Sequence, residues 1–150
     1  MRITHAADYA IRLTYCLAIH DTVMGTKAIA EETGVSLRFA LKILQKLVQS
    51  GIVVSFQGKK GGYKLNRAPR DISIGEIVEI IDGPVEINHC LSECFDCTRI
   101  GDKKTECGFH QAFQSVNAAI RQQLYALTLD QFVPENGDKP DNTQEETHNL

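Results

Sequence analysis

Four of the five cysteines in this 150-residue chain crowd into one stretch, with the spacing Cys90-x3-Cys94-x2-Cys97-x9-Cys107-x2-His110. Thiols this dense, odd in total number and preceded by no apolar signal segment in Met-Arg-Ile-Thr-His, point to metal or cluster ligation rather than to a disulfide framework. Several four-ligand subsets are available. Cys94-x2-Cys97 with Cys107-x2-His110 matches a Cys3His zinc site, because two short chelating pairs on separate turns suit a tetrahedral ion. Three cysteines with a weaker or exchangeable fourth ligand suit an iron–sulfur cluster whose labile iron is open to small oxidants. Zinc would make the loop a staple and a cluster would make it a switch. Local spacing does not separate them. A redox dithiol at Cys94 and Cys97 ranks last, since no alternating strand and helix pattern surrounds the pair.

The elements that must position this stretch divide the chain by charge. Residues 1–70 carry eleven Lys or Arg against four Asp or Glu, a balance of +7, and residues 71–150 carry five against fifteen, a balance of −10. A basic half suits a polyanion, since each phosphate neutralised releases condensed counterions. A dipolar, solvated surface is the plain alternative. The longest apolar run is broken by Arg12, so no membrane span is expected, and the chain is expected to be soluble and cytoplasmic.

His5 to His20 repeats apolar residues at helical spacing, with Asp8 and Arg12 four apart on the outer face as an ordinary ion pair and Cys16 among apolar neighbours as a small core residue. Thr26 is expected to cap a short helix from Lys27 to Thr33 that ends at Gly34. Ser36 then caps a third helix in which Ala40, Leu41, Leu44, Leu47 and Val48 face inward while Arg38, Lys42, Gln45 and Gln49 face out. Two helices around Glu32-Thr33-Gly34-Val35-Ser36 have the form of a helix-turn-helix. Ile52 to Phe56 and Tyr63 to Leu65 read as two strands joined by Gln57-Gly58-Lys59-Lys60-Gly61-Gly62. That loop lacks the spacing and the hydroxyl residue of a nucleotide-phosphate cradle. Its glycines, Gly61 included, permit close backbone approach while Lys59 and Lys60 supply charge for phosphate.

Ser73-Ile74-Gly75-Glu76 has the form of a capping box for a helix over Ile74 to Ile81, ending near Gly83-Pro84. The cysteine stretch is too polar to be an element of its own and is expected to take its order from a ligand. Phe109 to Leu127 predicts a helix of about five turns with a stripe at Phe113, Val116, Ala119, Ile120, Leu124 and Leu127, suited either to a second copy or to the core of one chain. From Pro134 the chain is acidic, nearly free of apolar side chains, and expected to be disordered.

The opening Met-Arg-Ile-Thr-x3-Asp-Tyr-Ala-Ile-Arg, the Ser36 to Gly51 helix followed by Ile52-Val53, the Gly58-Lys59-Lys60-Gly61-Gly62-Tyr63-Lys64-Leu65 hairpin, the Ile74 to Gly83 helix and Cys107-Gly108-Phe109-His110 together resemble the IscR, NsrR and RirA family of bacterial winged-helix regulators. The resemblance covers about residues 1 to 132. It implies a mainly α fold with a small β-hairpin wing: a winged helix-turn-helix over 1–83, a cluster loop over 84–110, a long C-terminal dimerisation helix over 111–133 and a tail over 134–150. It implies a non-enzymatic, homodimeric transcription factor on double-stranded DNA that senses redox, iron or nitric oxide, with zinc as the alternative to the cluster. Ser36, Arg38, Phe39 and Lys42 fall where the major groove would be read, and Lys59, Lys60 and Gly61 on the wing. By position Cys90, Cys97 and Cys107 would hold a 4Fe-4S or 2Fe-2S cluster, with His110 or Asp8 of the other subunit at the fourth place. The gaps between these cysteines are longer than is usual in the family, and Cys94 is additional.

Overall fold

A computed structural model describes residues 2–93, 95–101 and 103–134. Cys94 and the acidic tail beyond Pro134 lie outside the described residues. The elements run α1 (His5–His20), α2 (Thr26–Thr33), α3 (Leu37–Gln49), β1 (Val53–Phe56), β2 (Gly62–Leu65), α4 (Ile74–Asp82) and α5 (Gly108–Ala126), with short 3-10 turns before α4, between α4 and α5 and after α5. The architecture is mainly α with a two-stranded antiparallel hairpin.

Helix α1 is the centre of the packing. Thr4 caps it by accepting from the Ala7 N–H at 3.2 Å, and Ala7, Ala10, Leu13 and Leu17 recur every three or four residues with no exposed surface. Thr14 lies on the same buried face, and its hydroxyl donates to the Ala10 and Ile11 carbonyls at 2.9 and 3.0 Å, which satisfies it without a partner from elsewhere. Asp21, at φ +46°, ends the helix in the left-handed region that a short polar side chain tolerates. Helix α2 begins at Thr26, with Gly25 rather than Thr26 in the capping position, and ends at Gly34 at φ +68°. Ser36 caps α3 through the Phe39 N–H. The buried stripe of α3 is Ala40, Ile43, Leu44 and Leu47. Ile43 therefore takes the place expected of Leu41, which is 40% exposed; positions 40, 43, 44 and 47 share one helical face and 41 turns out of it.

Ile52 and Val53 are buried, and β1 pairs with β2 from Val53 opposite Leu65 to Phe56 opposite Gly62. The outer edge of β2 is joined by Met24, which exchanges two backbone hydrogen bonds of 2.9 Å with Tyr63. Gly62 is required there: a Cβ would stand 2.2 Å from the Met24 carbonyl oxygen. Ser73 accepts from the Glu76 N–H at 3.1 Å and opens α4, but Glu76 completes no reciprocal box, because its carboxylate meets Arg67 at 2.7 Å. Ile74, Ile77, Val78 and Ile81 of α4 close the core over α1.

The long helix begins at Gly108, inside the stretch expected to be loop, and ends at Ala126, short of the Val133 expected of it, because the chain then turns back to the core. The Ile74 N–H donates to the Leu127 carbonyl at 2.8 Å and the Leu129 N–H to the Ile72 carbonyl at 3.0 Å, so buried Leu129 plugs the end of the core. Of α5 itself only His110 is buried.

Candidate nucleic-acid interface and cysteine loop

The turn at Gly34, Val35 and Ser36 fixes the angle between α2 and α3, with buried Val35 as its apolar anchor. It leaves the outer face of α3 open. Ser36, Arg38, Phe39 and Lys42 are all exposed, Phe39 to 53% and set edge-on to Tyr9 of α1 at 6.3 Å between ring centroids. At the hairpin tip Lys59 and Lys60 are exposed. Gly61 serves the shape of that tip rather than its chemistry: its N–H donates to the Gly58 carbonyl at 3.0 Å, and a Cβ would meet the Phe56 carbonyl oxygen at 2.5 Å. Among the described residues the ion pairs engage Arg12, His20, Lys27, Lys64, Arg67 and Arg121. Arg38, Lys42, Lys59 and Lys60 are in none of them. Four exposed cations without acidic partners among the described residues, on a helix and a hairpin tip, make a surface that attracts phosphate.

The loop after α4 is held by α5. Asn117 receives the Ile87 N–H on Oδ1 at 3.1 Å and donates from Nδ2 to the Val85 carbonyl at 2.8 Å. Glu79 of α4 takes both the Arg121 Nε at 2.7 Å and Nη2 at 3.0 Å, the Tyr125 hydroxyl at 2.6 Å and the Val85 N–H at 3.1 Å. Arg121 is the main reason the Glu79 carboxyl is held down at about 2, with Tyr125 and Val85 adding to it against the opposing effect of burial.

Cys90, Cys97 and Cys107 are free thiols at intermediate exposure. Cys107 occupies the N-cap of α5. The backbone N–H of His110 is the largest influence on its thiol, and with the N–H of Phe109 and the Arg99 guanidinium it lowers the pKa below the ordinary value. A helix N-terminus favours thiolate, the form that ligates metal. His110 is 8% exposed, and its Nδ1 is buried with no hydrogen-bond partner among the described residues. Asp8 is paired with Arg12 at 2.8 Å on α1. The three loop thiols do not converge as a trio. Among the described residues the donor atoms that do, all within 4.8 Å of one another, belong to Cys16, His20 and Glu32. Burial first, then the charge and hydrogen bonding of Glu32, push the Cys16 thiol up to about 12. The four-residue step from Cys16 to His20 is visible in the sequence, but Glu32 joins them only through the packing of α2 on α1. Asn117 and Glu79 carry no local signal either, since the side chains and backbone groups they hold lie at least 30 positions away, apart from the Val85 N–H on Glu79.

A family model described as Rrf2, iron-dependent transcriptional regulator, matches residues 3–135. Protein aau3 of Rhizobium meliloti is 32% identical over 135 residues, covering 89% of this chain and 85% of that one. The HTH-type transcriptional regulator IscR of Vibrio atlanticus is 27% identical over 138 residues, covering 91% and 77%. Among solved structures T. potens IscR superposes with a TM-score of 0.64 at 25% identity, covering 88% of this chain and 85% of that one.

Proposed function

The chain belongs to the Rrf2 family of transcriptional regulators, and we propose that it works as a homodimer whose grip on double-stranded DNA is set by an iron–sulfur cluster in the loop over 84–110. The observation that carries this reading is the double duty of α5. Its first turn lowers the pKa of the Cys107 thiol, its body is tied to α4 through Glu79 and Arg121, and its outer side leaves Phe109 and Val116 more than half exposed. Ligand, DNA-binding unit and apolar pairing face are thus joined by one rigid rod. A change at Cys107 has a direct mechanical route to the helix-turn-helix over 1–83 and, through the outer side of α5, to a second copy.

Arg38 and Lys42 of α3 are assigned to base edges and phosphates in the major groove, with Ser36 and Phe39 at the start of the helix, where base edges are reached. Lys59 and Lys60 are assigned to the backbone, and Gly61 keeps the tip tight enough to approach it. Cys90, Cys97 and Cys107 are assigned to the cluster, with Cys94, His110 or Asp8 of a second copy for the remaining place. The lowered pKa of Cys107 and the buried Nδ1 of His110, without a partner among the described residues, suit that donor set. A bound cluster supplies iron open to oxidants and nitric oxide, so its gain or loss biases which dimer geometry is populated. The residues do the rest: Asn117 holds the loop on α5, and Glu79 passes the position of α5 to α4.

Anaerobic purification tests the reading. The expected protein is brown, carries labile sulfide, and changes its operator affinity when the cluster is removed. Alanine at Cys90, Cys97 or Cys107 should bleach it. Colourless protein whose bound zinc is lost when the loop cysteines are replaced would establish a zinc staple instead.

A further inference from the structure

The loop is not the place where donor side chains already converge. Cys16 and His20 lie one turn apart on α1 and so project from the same side of the helix. Glu32, near the C-terminal end of α2, reaches across so that both carboxylate oxygens stand 2.8 Å from His20 Nε2. The Cys16 sulfur completes a group in which all three donor atoms lie within 4.8 Å of one another. We propose that Cys16, His20 and Glu32 form a second metal site, for Zn2+, that clamps α1 to α2, the first helix of the helix-turn-helix, and is separate from the cysteine loop.

Three observations support the assignment. The donor types are those of zinc: thiolate at about 2.3 Å, imidazole at about 2.0–2.1 Å and carboxylate at about 2.0–2.2 Å. Donors around one such ion stand roughly 3.3–3.8 Å apart, so ligation asks the 2.8 Å His20–Glu32 pair to separate slightly, with the Cys16 sulfur already within 4.8 Å of both. The charges also fit. A thiolate and a carboxylate with a neutral imidazole cancel a divalent ion and would overcompensate a monovalent one, which favours Zn2+ over Cu+ even though the Met24 thioether lies 4.0 Å from the Cys16 sulfur. Finally, the site is closed at its base and open at its mouth. Cys16 is 3% exposed, whereas the His20 and Glu32 side chains keep about a third of their surface in water, leaving a path for the ion and room for water as a fourth ligand. Binding would replace the thiol proton, which passes to solvent, while the remaining imidazole proton resides on Nδ1. The competing arrangement is a His20–Glu32 ion pair beside a core cysteine that never loses its proton.

The test uses the full chain. Zinc, iron and labile sulfide are measured per chain in the unaltered protein, and in C16A, H20A and E32Q, after equilibration with Zn2+ and removal of the excess. One zinc should be lost in C16A and H20A with iron and sulfide unchanged, and E32Q should weaken zinc by more than the roughly 10- to 100-fold typical of losing a ligand's supporting group. In a chain with Cys90, Cys94, Cys97 and Cys107 all replaced by alanine, Co2+ should give a thiolate charge-transfer band that Zn2+ abolishes and that C16A lacks. Circular dichroism verifies that each variant folds. Equal zinc in the unaltered protein, C16A and H20A overturns the site, as does a cobalt band that survives C16A. Either result leaves the loop's cofactor to its own test.

Discussion

Up to Asp82 the chain leaves no surface of Leu13, Leu17, Leu44, Leu47, Ile52 or Ile77 in contact with water, whereas the 19 residues of α5 bury His110 alone. The first region is held by a closed apolar core in which α1 touches every other helix of the winged unit. The second rests on a narrower apolar strip, Ile120 and Leu124 packed against the edge of that core, and on separate polar ties: Asn117 on the loop backbone and Glu79 on Arg121 and Tyr125, with Leu129 returned to the core beyond it. A closed core fixes one geometry, while a helix seated on a narrow apolar strip and a few polar ties can shift when one tie or ligand changes. A regulator needs both, and here they are divided along the chain.

The contrast can be broken from the core side most severely. Leu44→Ala should cost about 2–5 kcal/mol in chemical unfolding, lowering the whole winged unit together; an effect confined to α5 would show that the core is not continuous. Gly62→Ala forces a methyl against the Met24 carbonyl, and a loss of about 2 kcal/mol is expected, with the hairpin amides exchanging faster. Glu79→Gln should cost about 1 kcal/mol and act selectively, speeding hydrogen exchange in α5 while leaving α1 protected. The same carboxyl gives a signed pH test. Its pKa is depressed from 4.5 to about 2, so its contribution is complete above about pH 4.5 and fades as pH falls through 2; E79Q should flatten that acid limb of the stability curve. Replacing Lys59 and Lys60 together by alanine should leave stability within about 0.5 kcal/mol and make the logarithmic salt dependence of DNA binding shallower by about 1.8 for each subunit engaged, or about 3.6 for a dimer with both wings on DNA. An unchanged slope would remove the wing from the phosphate contacts.

Much of the winged unit was legible because its signals are local. The apolar spacing of α1, Ser36 before α3, Ser73 before α4 and the glycine-rich turn after Phe56 each act within a few residues. Where two local signals competed, reading by residue type fell short: Gly25 caps α2 although Thr26 is the better hydrogen-bonding residue, and Ile43 is buried in place of Leu41. The return of Leu129 to Ile72 and the double hydrogen bond of Asn117 join segments 30 or more residues apart, and neither periodicity nor capping encodes such pairings. Cys16 shows the same limit. Its apolar neighbours correctly placed it in the core, but only the approach of α2 brings Glu32 to its sulfur side.

The bridge between Met24 and Tyr63 bears on how the molecule behaves in a crowded solution. A two-stranded hairpin offers rows of unpaired backbone groups on which a foreign strand can grow. Here one residue of the α1–α2 connection already holds both hydrogen bonds of Tyr63 on that side. The chain thus covers the middle of its own β2 edge, which leaves a foreign strand less of that edge on which to grow.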